Sequence, residues 1–348
     1  MKSNINTFIE KAGWPRIIIF LFLLSLYIIA PFVGVKLSTS ISDTIIRFGM
    51  NGVLVLAMVP MVQAGTGLNF GLPLGIIAGL LGAITSIELK IGGFSGFLTA
   101  LVIAIPIAAI LGYGYGKLLN KVKGGEMMIA TYVGFSSVAF MSMVWLLIPY
   151  KSPDMVWAYG GSGLRTTISV EKYWIHTLNN FLEIKIGETF IFPTGMLLFF
   201  AFMAFLVWLF FKTKAGTAMS AVGSNPEYAK ASGVDIDKVR VQSVMFSTIL
   251  GAIGIIVYEQ SFGFIQLYMG PFYMAFPAVA AILIGGASVH KATITNVIIG
   301  TFLFQGILTM TPSVINNIIK TDMSEVMRII VSNGMILYAL TRREKGKA

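Results

Sequence analysis

The chain is 348 residues long, 56% hydrophobic and only 11% charged, with no cysteine, two histidines and a formal net charge of +10. Soluble domains carry roughly 25% charged residues, so this composition describes a polytopic membrane protein. Without cysteine and with two histidines, a disulfide framework, a thiolate or His-rich metal site and a thiol nucleophile are excluded, and the basic clusters between apolar runs encode topology rather than nucleic-acid binding.

Residues 1–15 form a basic leader ending at an apolar run over 17–33. The sequence IIAPFVGVKL at its end (28–37) is a poor small-residue cleavage site, so the run reads as a retained first span. A window of roughly 19 residues places ten spans at about 16–34, 46–64, 70–88, 96–117, 127–149, 191–211, 240–259, 271–288, 293–311 and 324–341. The expected fold is all-α, one transmembrane domain over residues 1–348. Its parts are an inner leader (1–15), five spans (16–149), an outer loop (150–190), a sixth span (191–211), an inner loop (212–240), four more spans (240–341) and an inner tail (342–348).

Gln63, Asn69 and Phe70 precede or enter the third span, where Gly67 and Gly71-Leu72-Pro73 interrupt the apolar pattern. The glycines of GYGYG at 112–116 end a span and read as close helix packing or an interfacial tyrosine anchor, not as a phosphate loop. The outer loop holds Trp157, Tyr159, Tyr173 and Trp174 together with GGSG at 160–163, and a short surface helix is expected there. An ordered loop without a partner and a docking site both remain open for it.

The inner loop, KTKAGTAMSAVGSNPEYAKASGVDIDKVR, carries its own helix signals. Ser224 or Asn225 can cap, Pro226 sits where a first helical residue needs no N–H, and Glu227 faces the positive helix end. Gly233 supplies the positive φ that ends a helix of about two turns. Such an element reads as a docking helix for a soluble partner.

Gln260, Gln266, Tyr268 and Tyr273 lie before and within the eighth span, which Gly270-Pro271 interrupts as Gly71-Leu72-Pro73 interrupts the third. Two matching segments an odd number of spans apart point to halves inverted across the membrane, the competing reading being that Gly-rich spans simply pack closely. Gln63, Gly67, Asn69, Phe70, Gly71, Gln260, Gln266, Tyr268 and Tyr273 are the candidate path residues. Neutral polar and aromatic groups suit an uncharged polar solute, and the competing reading of each is an interhelical hydrogen bond or cap.

Orientation follows from charge. With both termini inside, Lys2, Lys11, Arg16, Lys117, Lys121, Lys123, Lys212, Lys214, Lys230, Lys238, Arg240, Lys291 and the tail's Arg342, Arg343, Lys345 and Lys347 all face inward. That side then holds the whole formal excess of +10 and the outer side is balanced. No acidic or histidine residue is expected near the centre of a span, which argues against a proton-driven carrier. No nucleophile–base pair, HExxH, GxSxG or GxxxxGK[ST] is present, so no catalytic residue, metal or cofactor is expected.

The loop sequence TAMSAVGSNPEYAKASGVDIDKVR resembles that of ABC-importer permeases for simple sugars, nucleosides and branched-chain amino acids. AVGSNPEYAKASGV matches their spacing of small residue, Gly, Asn, Ala and Gly, and GLNFGLPLG, GAIGII, ILIGGAS and IIGTFLFQ follow their order. This resemblance covers most of residues 45–340. It implies about ten helices in two inverted halves of a bacterial inner-membrane protein. It also implies a second permease subunit, cytoplasmic subunits that bind the ATP, an extracytoplasmic solute-binding protein and a small-molecule substrate. Gly223, Asn225, Pro226, Glu227, Ala229 and Gly233 fall on the implied ATPase-coupling helix, and Gly67, Asn69 and Gly71 on the implied path. Simple-sugar permeases commonly have Asp-Leu-Ser where this chain has Asn69-Phe70-Gly71, a departure that leans toward nucleosides. A secondary carrier and a membrane enzyme are the competing classes. A carrier would work without an ATPase, and an enzyme needs a catalytic cluster that is not in the sequence.

Overall fold

The computed structural model describes residues 14–157, 163–187 and 189–341. Most of the leader, Tyr159, the start of the glycine run at 160–163 and the tail 342–348 lie outside the described residues. Helix α1 (Trp14–Ile29) passes through a 3-10 turn (Ala30–Val33) to α2 (Leu37–Leu56), which α3 (Met58–Gln63) extends. Then come α4 (Leu72–Glu88), α5 (Gly93–Lys121) and α6 (Glu126–Leu147). The long loop carries strands β1 (Thr167–Ser169), β2 (Ile184–Ile186) and β3 (Phe190–Phe192), and α7 (Thr194–Lys212) follows. Two short helices, α8 (Lys214–Ser224) and α9 (Pro226–Ala231), lead to α10 (Ile236–Phe262), β4 (Phe264–Gln266), α11 (Gly270–Ile284), α12 (Ile294–Ile319) and α13 (Ser324–Thr341).

Among the described residues, seven helical stretches are long and apolar enough to cross a membrane: 16–33, 37–63, 93–121, 126–147, 194–212, 236–262 and 294–319. The second begins at Leu37, well before the expected 46, so Asp43 and Arg47 are helical. A hydropathy window averages its polar residues away, yet they are satisfied locally. The Ser42 hydroxyl donates to the Ile191 carbonyl (2.7 Å) and the Thr44 hydroxyl to that of Ser40 (2.8 Å).

The expected third and eighth spans are the short helices α4 and α11, of 17 and 15 residues. At 1.5 Å per residue they reach about 25 and 22 Å, less than a hydrocarbon core of about 30 Å. Non-helical segments at 64–71 and 263–269 precede them. Most residues of 64–71 are buried, which is where irregular backbone can exist at membrane depth, whereas 263–269 carries β4 and alternates buried Gly263, Ile265 and Leu267 with exposed Phe264 and Met269.

Helix α10 is the central pillar. Gly75 and Gly79 of α4 bring their backbones against the Thr248 and Ala252 carbonyls, where an added Cβ would lie at 2.6 Å. Gly112 and Gly116 of α5 face the Met245 and Val241 Cα atoms, and Gly254 of α10 faces the Leu54 amide. Small residues let helices approach closely where lipid offers no hydrophobic drive, which is what the glycines at 112 and 116 do here.

The expected surface helix is not found among the described residues of the long loop, which forms turns and short strands. β1 pairs antiparallel with β4, and β2 with β3. The β-branched run Thr166-Thr167-Ile168 favours a strand, and the loop's amides are taken by other elements: His176 N–H donates to the Gln260 carbonyl and Gly93 N–H to that of Tyr173. His176 itself has φ +52, which no helix tolerates.

Candidate functional site

The stretch 212–240 forms an elbow of two helices, where the sequence pointed to one. Thr213 caps α8 by accepting from Gly216 N–H (3.3 Å). After a break at Asn225, α9 begins, with the Asn225 side chain accepting from Tyr228 N–H (3.0 Å) and Pro226 in its first turn. Ala229 is buried with Ala64, Met219, Val222 and Val239, seating α9 on the membrane helices. Gly233 takes φ +83 and its N–H reaches the Lys230 carbonyl (3.0 Å), stopping the helix. Glu227 and Lys230 are exposed, and Tyr228 is 70% exposed.

Gly223 has a different task. A side chain there would run into the carbonyl of Gln63, and one on Gly65 would meet the Gly223 Cα at 3.1 Å. The elbow therefore lies backbone to backbone on the end of α3. From that end Gln63 Nε2 donates to the Ala292 carbonyl (2.5 Å), in the turn between α11 and α12. One amide thus connects the elbow's support to a second helix pair. Beside it, Arg240 of α10 forms an ion pair with Glu126 at the start of α6, and Glu126 also accepts from Gly124 N–H (3.0 Å).

Beyond Gln63 the chain turns at Gly65 (φ +69) and Gly67 (φ +86) to bring Asn69 inside. Asn69 has no exposed surface. Its Nδ2 donates to the Ser247 hydroxyl (2.7 Å), which donates to the Ala57 carbonyl (2.6 Å), while the Tyr115 hydroxyl donates to its Oδ1 (3.3 Å). Gly71 leaves room for the Tyr115 hydroxyl, which a side chain at that position would strike. Phe70 joins Phe276, Phe135 and Phe272 in an aromatic cluster with neighbouring centroids 4.7 to 6.3 Å apart.

Gln260, Gln266 and Tyr268 sit at the opposite end of α10 from Gln63. Gln260 is fully buried, its Nε2 donating to Asn179 Oδ1 (2.8 Å) and its Oε1 accepting from Leu178 N–H (3.0 Å). Gln266 pairs with Thr167 in the small sheet. The Tyr268 hydroxyl donates to the Leu164 carbonyl (3.0 Å), and burial raises its pKa. Tyr273, on α11, is 69% exposed. Gln63 lies at the elbow end and Gln260, Gln266 and Tyr268 at the long-loop end, while Asn69 meets the middle of α10 at Ser247 and Phe70 shares its aromatic cluster with Phe272 and Phe276, the neighbours of Tyr273. At the long-loop end, Asp154 accepts from the Tyr173 hydroxyl (2.9 Å) and Lys172 Nζ (3.1 Å), and these two bonds hold its carboxyl below the usual carboxylate range.

Sequence reasoning missed Gly65, the Ala292 carbonyl and the Glu126–Arg240 pair. The GTG run at 65–67 was the available signal, since two glycines flanking one residue favour consecutive turns. The pair left none, because its members are distant in sequence.

A family model for the permease component of branched-chain amino acid transport systems matches residues 16–340. The chain belongs to this family. As a member it is a non-catalytic permease subunit of the ABC-importer class. One similar protein is the autoinducer 2 import system permease protein LsrC of Enterobacter sp. (strain 638), 25% identical and matched over 77% of each chain. The tyrosine transport system permease protein of Clostridioides difficile (strain R20291) is 28% identical over 40% of this chain and 48% of its own. The galactose/methyl galactoside import permease protein MglC of Haemophilus influenzae (strain ATCC 51907 / DSM 11121 / KW20 / Rd) is 34% identical over 30% of this chain and 32% of its own. No solved structure matches the chain.

Proposed function

We propose that this permease moves a small neutral polar solute, a simple sugar or a nucleoside, inward across a bacterial cytoplasmic membrane. A separate ATPase subunit drives it by pushing on α9. The observation that carries this reading is the elbow, an exposed capped helix whose base rests on the end of α3 through Gly223 and Gln63. ATP-driven closure of two ATPases would move α9 as a rigid peg and rock the membrane helices around a central path. A second permease subunit completes that path, and an extracytoplasmic binding protein delivers the solute.

Ten crossings with both termini inside belong to the same proposal. The basic residues of the elbow and of the 120–124 turn support the orientation. For two inverted halves, the support is that α4 and α11 are each short and each entered by a non-helical segment.

The decisive test is uptake into proteoliposomes with and without the ATPase. Uptake should require ATP and vanish in Gly233→Pro, which removes both the positive φ and the N–H to Lys230, and in Glu227→Lys, while both variants still insert. ATP-independent uptake would establish a secondary carrier instead. A second reading, an apolar or aromatic amino acid as solute, is favoured by the cluster of Phe70, Phe135, Phe272 and Phe276. Binding of the cognate solute-binding protein to a panel of sugars, nucleosides and amino acids separates the two.

A further inference from the structure

Behind α9 the elbow encloses a cavity of about 700 Å³. Gln63, Gly223, Pro226, Arg240, His290 and Lys291 are among its walls, so it joins the elbow, the end of α3, the start of α10 and the α11–α12 turn. Its charge is one-sided. Arg240 is 8% exposed and its guanidinium is bound to Glu126 at one nitrogen, while its Nε is buried with no hydrogen-bond partner. Lys291 is exposed at the rim, held there by a tight turn in which its N–H donates to the Ser288 hydroxyl (3.1 Å) and Ser288 N–H donates to the Lys291 carbonyl (2.9 Å). Among the described residues, no ion pair engages Lys291, and no carboxylate lines the cavity. Glu126 balances Arg240, so the cation left without a counter-charge at this cavity is the Lys291 ammonium, which calls for an anion.

We propose that this cavity is a second contact with the ATPase subunit, receiving an Asp or Glu side chain from it at Lys291. The inference rests on the reading of α9 as the ATPase-coupling helix, because the cavity shares the Pro226 wall with that helix. Two features favour a partner's carboxylate as the occupant: the unpaired charge of the exposed Lys291 and the wall that the cavity shares with the exposed Pro226 at the start of α9. The consequence is mechanical. The α11–α12 turn would be gripped directly, and Gln63, hydrogen-bonded to Ala292, would tie that grip to the elbow, so both ends of the linkage move together.

The test uses the full permease in nanodiscs with its ATPase, measuring association against salt. Lys291→Glu should weaken association by about tenfold or more and flatten its salt dependence, and Lys291→Gln should do so less, while Lys291→Arg retains both. Lys36→Glu, at an exposed site on the opposite end, should behave as wild type. Equal affinity and equal salt dependence for wild type and Lys291→Glu, with Gly233→Pro still impaired, would overturn this contact and leave the coupling helix standing. A wild-type permease that binds no ATPase would overturn both. Lys291 sits on an exposed turn, so a matched unfolding midpoint for its variants separates a lost contact from a lost fold.

Discussion

A methyl group added at Gly65 would lie 3.1 Å from the Cα of Gly223, so the elbow and the end of α3 meet as bare backbone. A side chain on Gly223 would strike the Gln63 carbonyl, and no rotamer relieves a clash with main chain. Gly223→Ala should therefore displace α8 and α9 and cost about 1–3 kcal/mol of overpacking. The expected outcome is a lower unfolding midpoint and at least a severalfold loss of ATP-driven uptake. Gly114→Ala is the matched control, since its added methyl meets open space and should change neither.

Asn225 holds the first turn of α9 through one side-chain bond to Tyr228 N–H. Its replacement by alanine should cost about 1 kcal/mol of local stability, equivalent to roughly fivefold faster hydrogen exchange at Tyr228, whereas Asn225→Asp should keep the cap. Unchanged exchange in Asn225→Ala would remove the cap from the explanation of α9.

Asn69 is tied to Ser247 and Tyr115 and has no exposed surface. Ser247→Ala deletes one partner and strands a buried donor, so a loss of about 1–3 kcal/mol is expected in thermal unfolding. Asn69→Asp should be worse, because it places a carboxylate without a cation in the same site. A wild-type midpoint for both would show that the network is not structural.

The Asp154 clasp on Tyr173 and Lys172 is pH-dependent in one direction. Its hydrogen bonds to Tyr173 and Lys172 lower the Asp154 pKa, so its contribution is present above the ordinary value of about 3.9 and is lost as pH falls through the lower folded-state value. Tyr173 is shifted upward by burial and by Asp154, so its hydroxyl remains a donor well into alkaline solution. Limited proteolysis of the long loop should be flat from neutral pH down to about 4 and rise below it, whereas Asp154→Asn should be more sensitive at neutral pH with no further acid step.

Membrane class, helix positions, the α9 cap and its positive-φ stop were legible because each depends on residues within one or two turns of each other. Asn225, Pro226 and Gly233 carry their signals in their own chemistry. Local signals also erred locally. The polar residues 38–44 masked the true start of α2, whose hydroxyls are satisfied by β3 and by the helix itself. The α8 helix was missed although Thr213 can cap it.

The sequence by itself determined that this is a polytopic membrane protein with a capped short helix ending at Gly233 and no GxxxxGK[ST] run in its residues. Hydropathy, charge sign and capping are properties of neighbouring residues, and one strand of text holds them all. Only the tertiary structure decided that Gly223 faces Gln63 and that Asn69 meets Ser247, 178 residues away. It likewise separated Gln63, bonded to Ala292 near the elbow, from Gln260, held by Asn179 of the long loop. Such pairings arise when helices of similar composition choose neighbours by the shape of their small-residue faces, and a chain read one window at a time does not contain that choice.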